Sequence, residues 1–331
     1  MDAEEIKSAL YTHFRIEPDP VLGINDQLLF LGSCFSENIG SKLAHLGFAV
    51  KINPFGIIYN PASLANIIEK IATNYRFTQN DLYFYNGYFH SLLHHGIFKN
   101  RNAQDLLDNL NRKNREAADF IADANSILIS LGTATVYRHG EEKMIVANCH
   151  KIPAAEFEKT ILHESEILIA LEKMQLFLHK IKPELKIIFT ISPVKHLRDG
   201  VAENALSKAR LLSSLAHFIK LKNNAGVHYF PAYEIVTEEL RDHRFYAEDL
   251  AHPSQWTILY IFKKFIESRF TTEAQNFINA MVKYVRMQSH TVISADKVQQ
   301  ESWEQQKLAY FQKIKSDFPQ KEWANINFEL K

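Results

Sequence analysis

The sequence predicts an α/β protein built on a parallel sheet with helices on both faces, followed by a helical C-terminal appendage. Three observations carry this prediction: five short apolar runs of strand length, helical patterns between several of them, and a stretch after Phe270 that holds helix-like patterns and no strand. A parallel strand pair needs a crossover long enough for a helix, so strands separated by helix-length segments read as βαβ units. With 331 residues the chain can form one large domain over 1–270 and a helical extension over 271–331.

The first run, QLLFLG at Gln27–Gly32, reads as a buried strand, and Ser36 to Leu46 follows with Ile39, Leu43 and Leu46 on one helical face. Gly47 is a stop signal for that helix. Further strands are expected at FAVKI (Phe48–Ile52), SILISL (Ser126–Leu131), KIIFTI (Lys186–Ile191) and VHYF (Val227–Phe230). Helical patterns occupy Ala103–Ala124, Glu164–Ile181 and Asn204–Lys222. The stretch from Tyr75 to Lys99, rich in Tyr, Phe and His, has no clean period and leaves a hairpin and an insertion both open. Two helices are expected after Phe270, at Glu273–Gln288 and Ala295–Lys315, the second carrying Trp303, Tyr310 and Phe311 at near-helical spacing for packing against the main domain.

Composition narrows the function. Apolar residues make up 46% and charged residues 23%, as in an ordinary globular enzyme. Lys plus Arg equals Asp plus Glu, so no net charge draws the chain to nucleic acid or anionic lipid, and neither is expected as a partner. The opening MDAEEIKSALYTHF lacks a basic and an apolar segment of secretory type, and no apolar run is long enough to span a bilayer; a cytoplasmic location is expected. Two cysteines, Cys34 and Cys149, suit a reducing compartment and are too few for a four-cysteine zinc site.

The chemistry-bearing residues follow from position. Ser33 stands between the first strand and the next helix, where free N–H groups and the positive end of the helix dipole can stabilise an oxyanion. A serine hydroxyl needs a general base, and the base needs an acceptor at its other ring nitrogen. In YAEDLAHPS, Asp249 precedes His252 by three residues, after the last strand and before a helical pattern through Trp256, Leu259 and Phe262. One short segment can thus supply both partners of Ser33, giving a Ser33–His252–Asp249 triad.

The blocks GSCFSENIG, NPFGIIYNP, LGTATVY, ANCHKIP, TISPVKHLRDG, SKARL and LRDHRFYAEDLAHPS resemble, in order, those of the GSCFA domain family, over about Leu28 to Phe270. That family is similar to the SGNH hydrolases, and the resemblance implies a flavodoxin-like three-layer α/β/α sandwich with Ser33, Asp249 and His252 in the catalytic roles. It implies no cofactor and a small-molecule or carbohydrate ester as substrate. The sequence departs from the family's name at Ser36, and from the SGNH opening Gly-Asp-Ser in having no Asp before Ser33. For the oxyanion hole, Gly56 matches the expected backbone donor, and Thr133 stands where a Gly-x-Asn segment would place an Asn; Asn53 and Asn148 are the other candidates. The expected activity is ester hydrolysis through an acyl-enzyme. Acyl transfer by the same triad and a binding protein on the same scaffold stay open.

Other residues have plainer readings beside reactive ones. Cys34 adjoins Ser33 and is the better nucleophile chemically, but neighbours on a tight turn point in different directions and a free Cys is commonly a small buried hydrophobe. His150, beside Cys149, reads as pocket-lining or structural. His90 and His94 have the spacing of a helical metal pair, without the Glu of a metalloprotease between them, and no metal is expected. Ser192 and Pro193 end a strand, and Lys208 reads as a helix cap or anchor.

Overall fold

A computed structural model describes residues 14–19, 21–222, 226–289 and 297–323. The strands in chain order are β1 (Gln27–Gly32), β2 (Ala49–Ile52), β3 (Tyr83–Tyr85), β4 (Tyr88–His90), β5 (Lys99–Asn100), β6 (Ser126–Leu131), β7 (Thr135–His139), β8 (Met144–Val146), β9 (Phe157–Ile161), β10 (Lys186–Ile191) and β11 (Val227–Phe230). The five apolar runs form one parallel sheet in the order β11-β10-β6-β1-β2. Counted along the chain these strands lie 2-1-3-4-5, the flavodoxin-like order, with the reversal between β1 and β6. The α/β sandwich expected from the sequence is therefore the fold.

Both faces of the sheet are covered, which is why its strands read as unbroken apolar runs instead of alternating ones. Leu29, Leu31, Ile127, Ile129, Ile187 and Phe189 point into one core, against helices α2 (Pro61–Ala72), α3 (Ala103–Asp123), α4 (Glu164–Ile181) and α5 (Val201–Lys222). Their neighbours Leu28, Phe30, Leu128, Ile188 and Phe230 point into the other, against α1 (Cys34–His45), α6 (Gln255–Arg269) and α7 (Thr272–Ser289). The alternation between the two sets is the period of two that a pleated strand imposes.

Local signals explain several boundaries. Asn60 accepts the Ser63 N–H at 2.8 Å and Pro61 takes the first helical position, so α2 begins with a cap and a residue that needs no partner for its missing N–H. Ser254 caps α6 through the Thr257 N–H. The segment from Tyr75 to Lys99 contains a hairpin, β3–β4, with β5 added to its edge, and β7, β8 and β9 form a second small antiparallel sheet. Leu92, Val146 and Ile152 make a small core there. Helix α8 (Lys297–Asp317) lays Phe311 on Tyr284 of α7, with ring centroids 4.8 Å apart. Among the described residues no helix is long and apolar enough to cross a membrane.

The close approach of β1 to β6 rests on Gly32. Its φ is +118°, and a Cβ there would lie 2.1 Å from the Ser130 carbonyl oxygen. Gly32→Ala is expected to lower stability by roughly 2–4 kcal/mol through strain and backbone clash, read as a fall in the urea midpoint. An unchanged midpoint would show that the two strand ends can separate freely.

Candidate functional site

The carboxyl ends of β1 and β6 lie at the point where the strand order reverses, the usual place for a ligand crevice in this architecture. Ser33 lies there as the N-cap of α1: its Oγ accepts the Phe35 N–H at 3.2 Å, and its hydroxyl shares a 2.7 Å hydrogen bond with that of Ser130. The Ser33 N–H donates to the Ser130 carbonyl, so main chain and side chain are both tied to β6. Ser33 is 1% exposed. Cys34, the first residue of α1, is half-buried, and its thiol is pushed up by burial and then by the nearby Glu37 carboxylate.

Asp249 and His252 form one turn built around a single carboxylate. Asp249 Oδ1 accepts the N–H groups of Ala251 (3.0 Å) and His252 (2.9 Å), and Oδ2 meets His252 Nδ1 at 2.6 Å. The His252 backbone N–H, then its ring, then the Ala251 N–H hold the Asp249 carboxyl down at about 2. The turn is pinned from both sides: Ala247 N–H donates to the His252 carbonyl, and the Ala251 carbonyl accepts from the Lys195 N–H in the segment after β10. His252 is half-exposed and does not hydrogen-bond Ser33. Helix α6, which starts at Gln255, packs beside α1, and its Leu259 and Phe262 share a groove of about 530 Å³ with Cys34.

The oxyanion candidates are distributed differently. Asn53 Oδ1 accepts the Gly32 N–H at 2.9 Å and its Nδ2 reaches Glu37 at 3.3 Å, so it fixes the backbone just before Ser33. Gly56 has φ +72°, its N–H donates to the Asn53 carbonyl, and a Cβ there would strike His95 at 2.3 Å. Thr133 and Asn148 line a second cavity of about 660 Å³, with His150 between the small sheets. The Thr133 hydroxyl bonds that of Ser207 at 2.9 Å. Asn148 Oδ1 accepts the His150 N–H, which leaves its Nδ2 as a donor toward the cavity.

His90 and His94 do not share a helix face: His90 ends β4 and His94 sits in the turn that follows. His90 Nδ1 lies 3.1 Å from His150 Nδ1, and His94 Nδ1 bonds the Ser91 hydroxyl at 2.7 Å. Lys208, read from the sequence as a helix cap or anchor, is instead fully buried inside α5's face and donates to the carbonyls of Gly132 (2.6 Å) and Ser192 (2.7 Å). Desolvation pushes its ammonium down to about 7. A lysine flanked by Ser207 and Ala209 on an otherwise amphipathic helix was the available signal, and sequence alone does not say which carbonyls it meets.

The chain belongs to the GSCFA family. The family model matches residues 27–265, from β1 through most of α6, and so spans the parallel sheet, the turn at Ser33 and the Asp249–His252 segment. No curated protein matches the chain. Among solved structures, a carbohydrate esterase family 3 protein from Talaromyces cellulolyticus is similar with a TM-score of 0.34 and 8% identity, over 78% of this chain and 99% of that one. At that score the likeness has no bearing on activity.

The histidine cluster gives the family fold a pH dependence. Burial holds the His94 ring down at about 3 and the His150 ring down at about 4, against an ordinary 6.5. Depressed folded values mean that this stability is full above pH 6.5 and is lost as the pH falls toward the folded values, because the unfolded chain takes up protons first. His94 alone accounts for about 2 kcal/mol between pH 6.5 and 5. The urea midpoint is expected to fall over that range, and to fall less in His94→Phe. Parallel pH curves for the two proteins would show that His94 does not carry the effect.

Proposed function

We propose that this GSCFA protein hydrolyses small acyl esters, carbohydrate esters among them, outside the carboxyl ends of β1 and β6. Ser33 is the nucleophile of this reading, His252 the general base and Asp249 the group that orients it. The observation that carries it is the Asp249–His252 pair: with Nδ1 held at 2.6 Å by a carboxylate, Nε2 is the nitrogen left to take a proton.

The sequence of events is acyl transfer to the enzyme and then to water. His252 Nε2 removes the Ser33 proton as Oγ bonds the carbonyl carbon; the alcohol then leaves with that proton, and water repeats the exchange on the acyl-enzyme. The Cys34 N–H, at the first position of α1, has no acceptor within its own helix and suits the developing oxyanion, with the helix dipole behind it. Ser33 bonds Ser130, so attack requires its side chain to leave that bond and turn toward His252. Catalytic hydrogen bonds commonly tighten only when substrate binds.

One observation favours a second reading, with Cys34 as nucleophile. Its side chain faces a groove while the Ser33 hydroxyl is closed from solvent, and counting from Gly32 it stands at the place of the serine in Gly-Asp-Ser. Its raised thiol would need His252 to form the thiolate.

Intact mass after treatment with a fluorophosphonate and, separately, iodoacetamide distinguishes these readings. The expected result is a phosphonyl adduct on wild type and Cys34→Ala, none on Ser33→Ala or His252→Ala, and ester turnover at least about a thousandfold lower in both unlabelled variants. Fast alkylation and turnover lost with Cys34→Ala alone would move the chemistry to the thiol. A protein inert to both reagents and to all esters would overturn both readings.

A further inference from the structure

We propose that the second cavity is an anion-binding subsite, so that the ester handled at this site carries a carboxylate or a phosphate. The binding claim stands on the cavity alone, whereas the word ester rests on the hydrolase reading above.

The cavity, about 660 Å³, has the size of a small-ligand pocket and bridges the two halves of the candidate site. Tyr59 lines one wall and follows Ile58, whose N–H donates to the Gly32 carbonyl just before Ser33. Lys195 lines another, and its own N–H holds the Ala251 carbonyl beside His252. The lining thus adjoins the Ser33 turn and the Asp249–His252 segment through these backbone bonds, without including Ser33 or His252.

The charge of the lining has one sign. Lys151, Lys195 and Arg198 border the cavity, and no carboxylate does among the described residues, although acids and bases are equal in number over the whole chain. Two other partly buried cations meet carboxylates, Arg138–Glu166 at 2.8 Å and Lys264–Glu239 at 3.0 Å, and others, such as Lys186 and Arg210, donate to backbone carbonyls. Among the described residues, none of the three cavity cations has a carboxylate partner. Lys195 is instead held over the Tyr246 ring, 3.7 Å from its centroid, and burial lowers its pKa. A half-desolvated ammonium without a counter-charge is a site that an anion would stabilise. The Asn148 Nδ2 adds a neutral donor on the same wall.

The test uses the full chain with inorganic phosphate and an ester pair, 4-acetoxybenzoate and its methyl ester. Calorimetry at low salt should show phosphate binding that weakens about tenfold in Arg198→Met and in Lys195→Met. Wild type should show a KM about tenfold lower for the acid than for the methyl ester, with the preference lost in both variants. Arg198 is exposed, so its variant is not expected to disturb folding. Phosphate binding that is absent, or equal in wild type and variants, overturns the subsite. If phosphate binding behaves as expected but neither ester is turned over, the subsite holds and the hydrolase reading fails.

Discussion

The ammonium of Lys208 ties together the ends of the two central strands on which the crevice depends. Strand ends leave carbonyls without ladder partners, and at β6 and β10 the Gly132 and Ser192 carbonyls both turn to this one buried donor. Placing a cation there costs several kcal/mol of desolvation, which only short charge-assisted hydrogen bonds can offset. The neighbouring residue extends the clamp: Ser207 accepts the Ala134 N–H at 2.7 Å and bonds the Thr133 hydroxyl. Two adjacent residues of α5 thereby fix the whole segment from Gly132 to Ala134. An apolar residue at 208 would leave two buried carbonyls unpaired, so the donors of the Lys208 side chain are a structural requirement of the crevice floor.

The turn at Ser33 is held by a second set of hydrogen bonds that are independent of Lys208. Asn53 takes the Gly32 N–H, Ile58 supplies a donor to the Gly32 carbonyl, and Ser130 receives the Ser33 N–H. Gly32 is thus fixed at both its polar groups, in a conformation that only glycine adopts readily. Loops that carry chemistry need a rigid frame, and here the frame is made from residues that sequence reasoning had placed as oxyanion donors. Asn53 Oδ1 and the Gly56 N–H are engaged in the turn itself, whereas Asn148 lines the second cavity.

The parallel sheet was legible because burial on both faces removes polar residues from its strands: four of the five apolar runs match their strands end to end, and FAVKI differs by one residue. Helix α2 was missed although Asn60 and Pro61 mark its start, since its Ile- and Ala-rich pattern lies directly after an irregular loop that contains Pro54. The small sheet of β7, β8 and β9 was missed for a different reason. Its strands are three to five residues long and partly exposed, so no periodic signal accumulates. The Asp249–His252 pairing was read from the segment's place after the last strand and before a helix, and the three-residue separation lets one carboxylate accept the backbone and the ring together. The burial of Ser33 and the half-exposure of Cys34 did not follow, since the direction of adjacent side chains on a turn is set by the backbone bonds around Gly32.

A net charge of zero describes the chain but not its crevice. Long-range attraction to a polyanion depends on the summed field, and here the sum vanishes. Recognition of a small anion depends on the few charges within a Debye length, about 8 Å under physiological salt, and on how much water lies between them and the ligand. Lys151, Lys195 and Arg198 are joined at that range by no carboxylate lining the same cavity. A net charge of zero over the chain is therefore compatible with a locally cationic lining around Tyr59 and Lys195. Lys151 and Arg198 are exposed and Lys195 is partly buried, so the desolvation that an anion would relieve is greatest at Lys195.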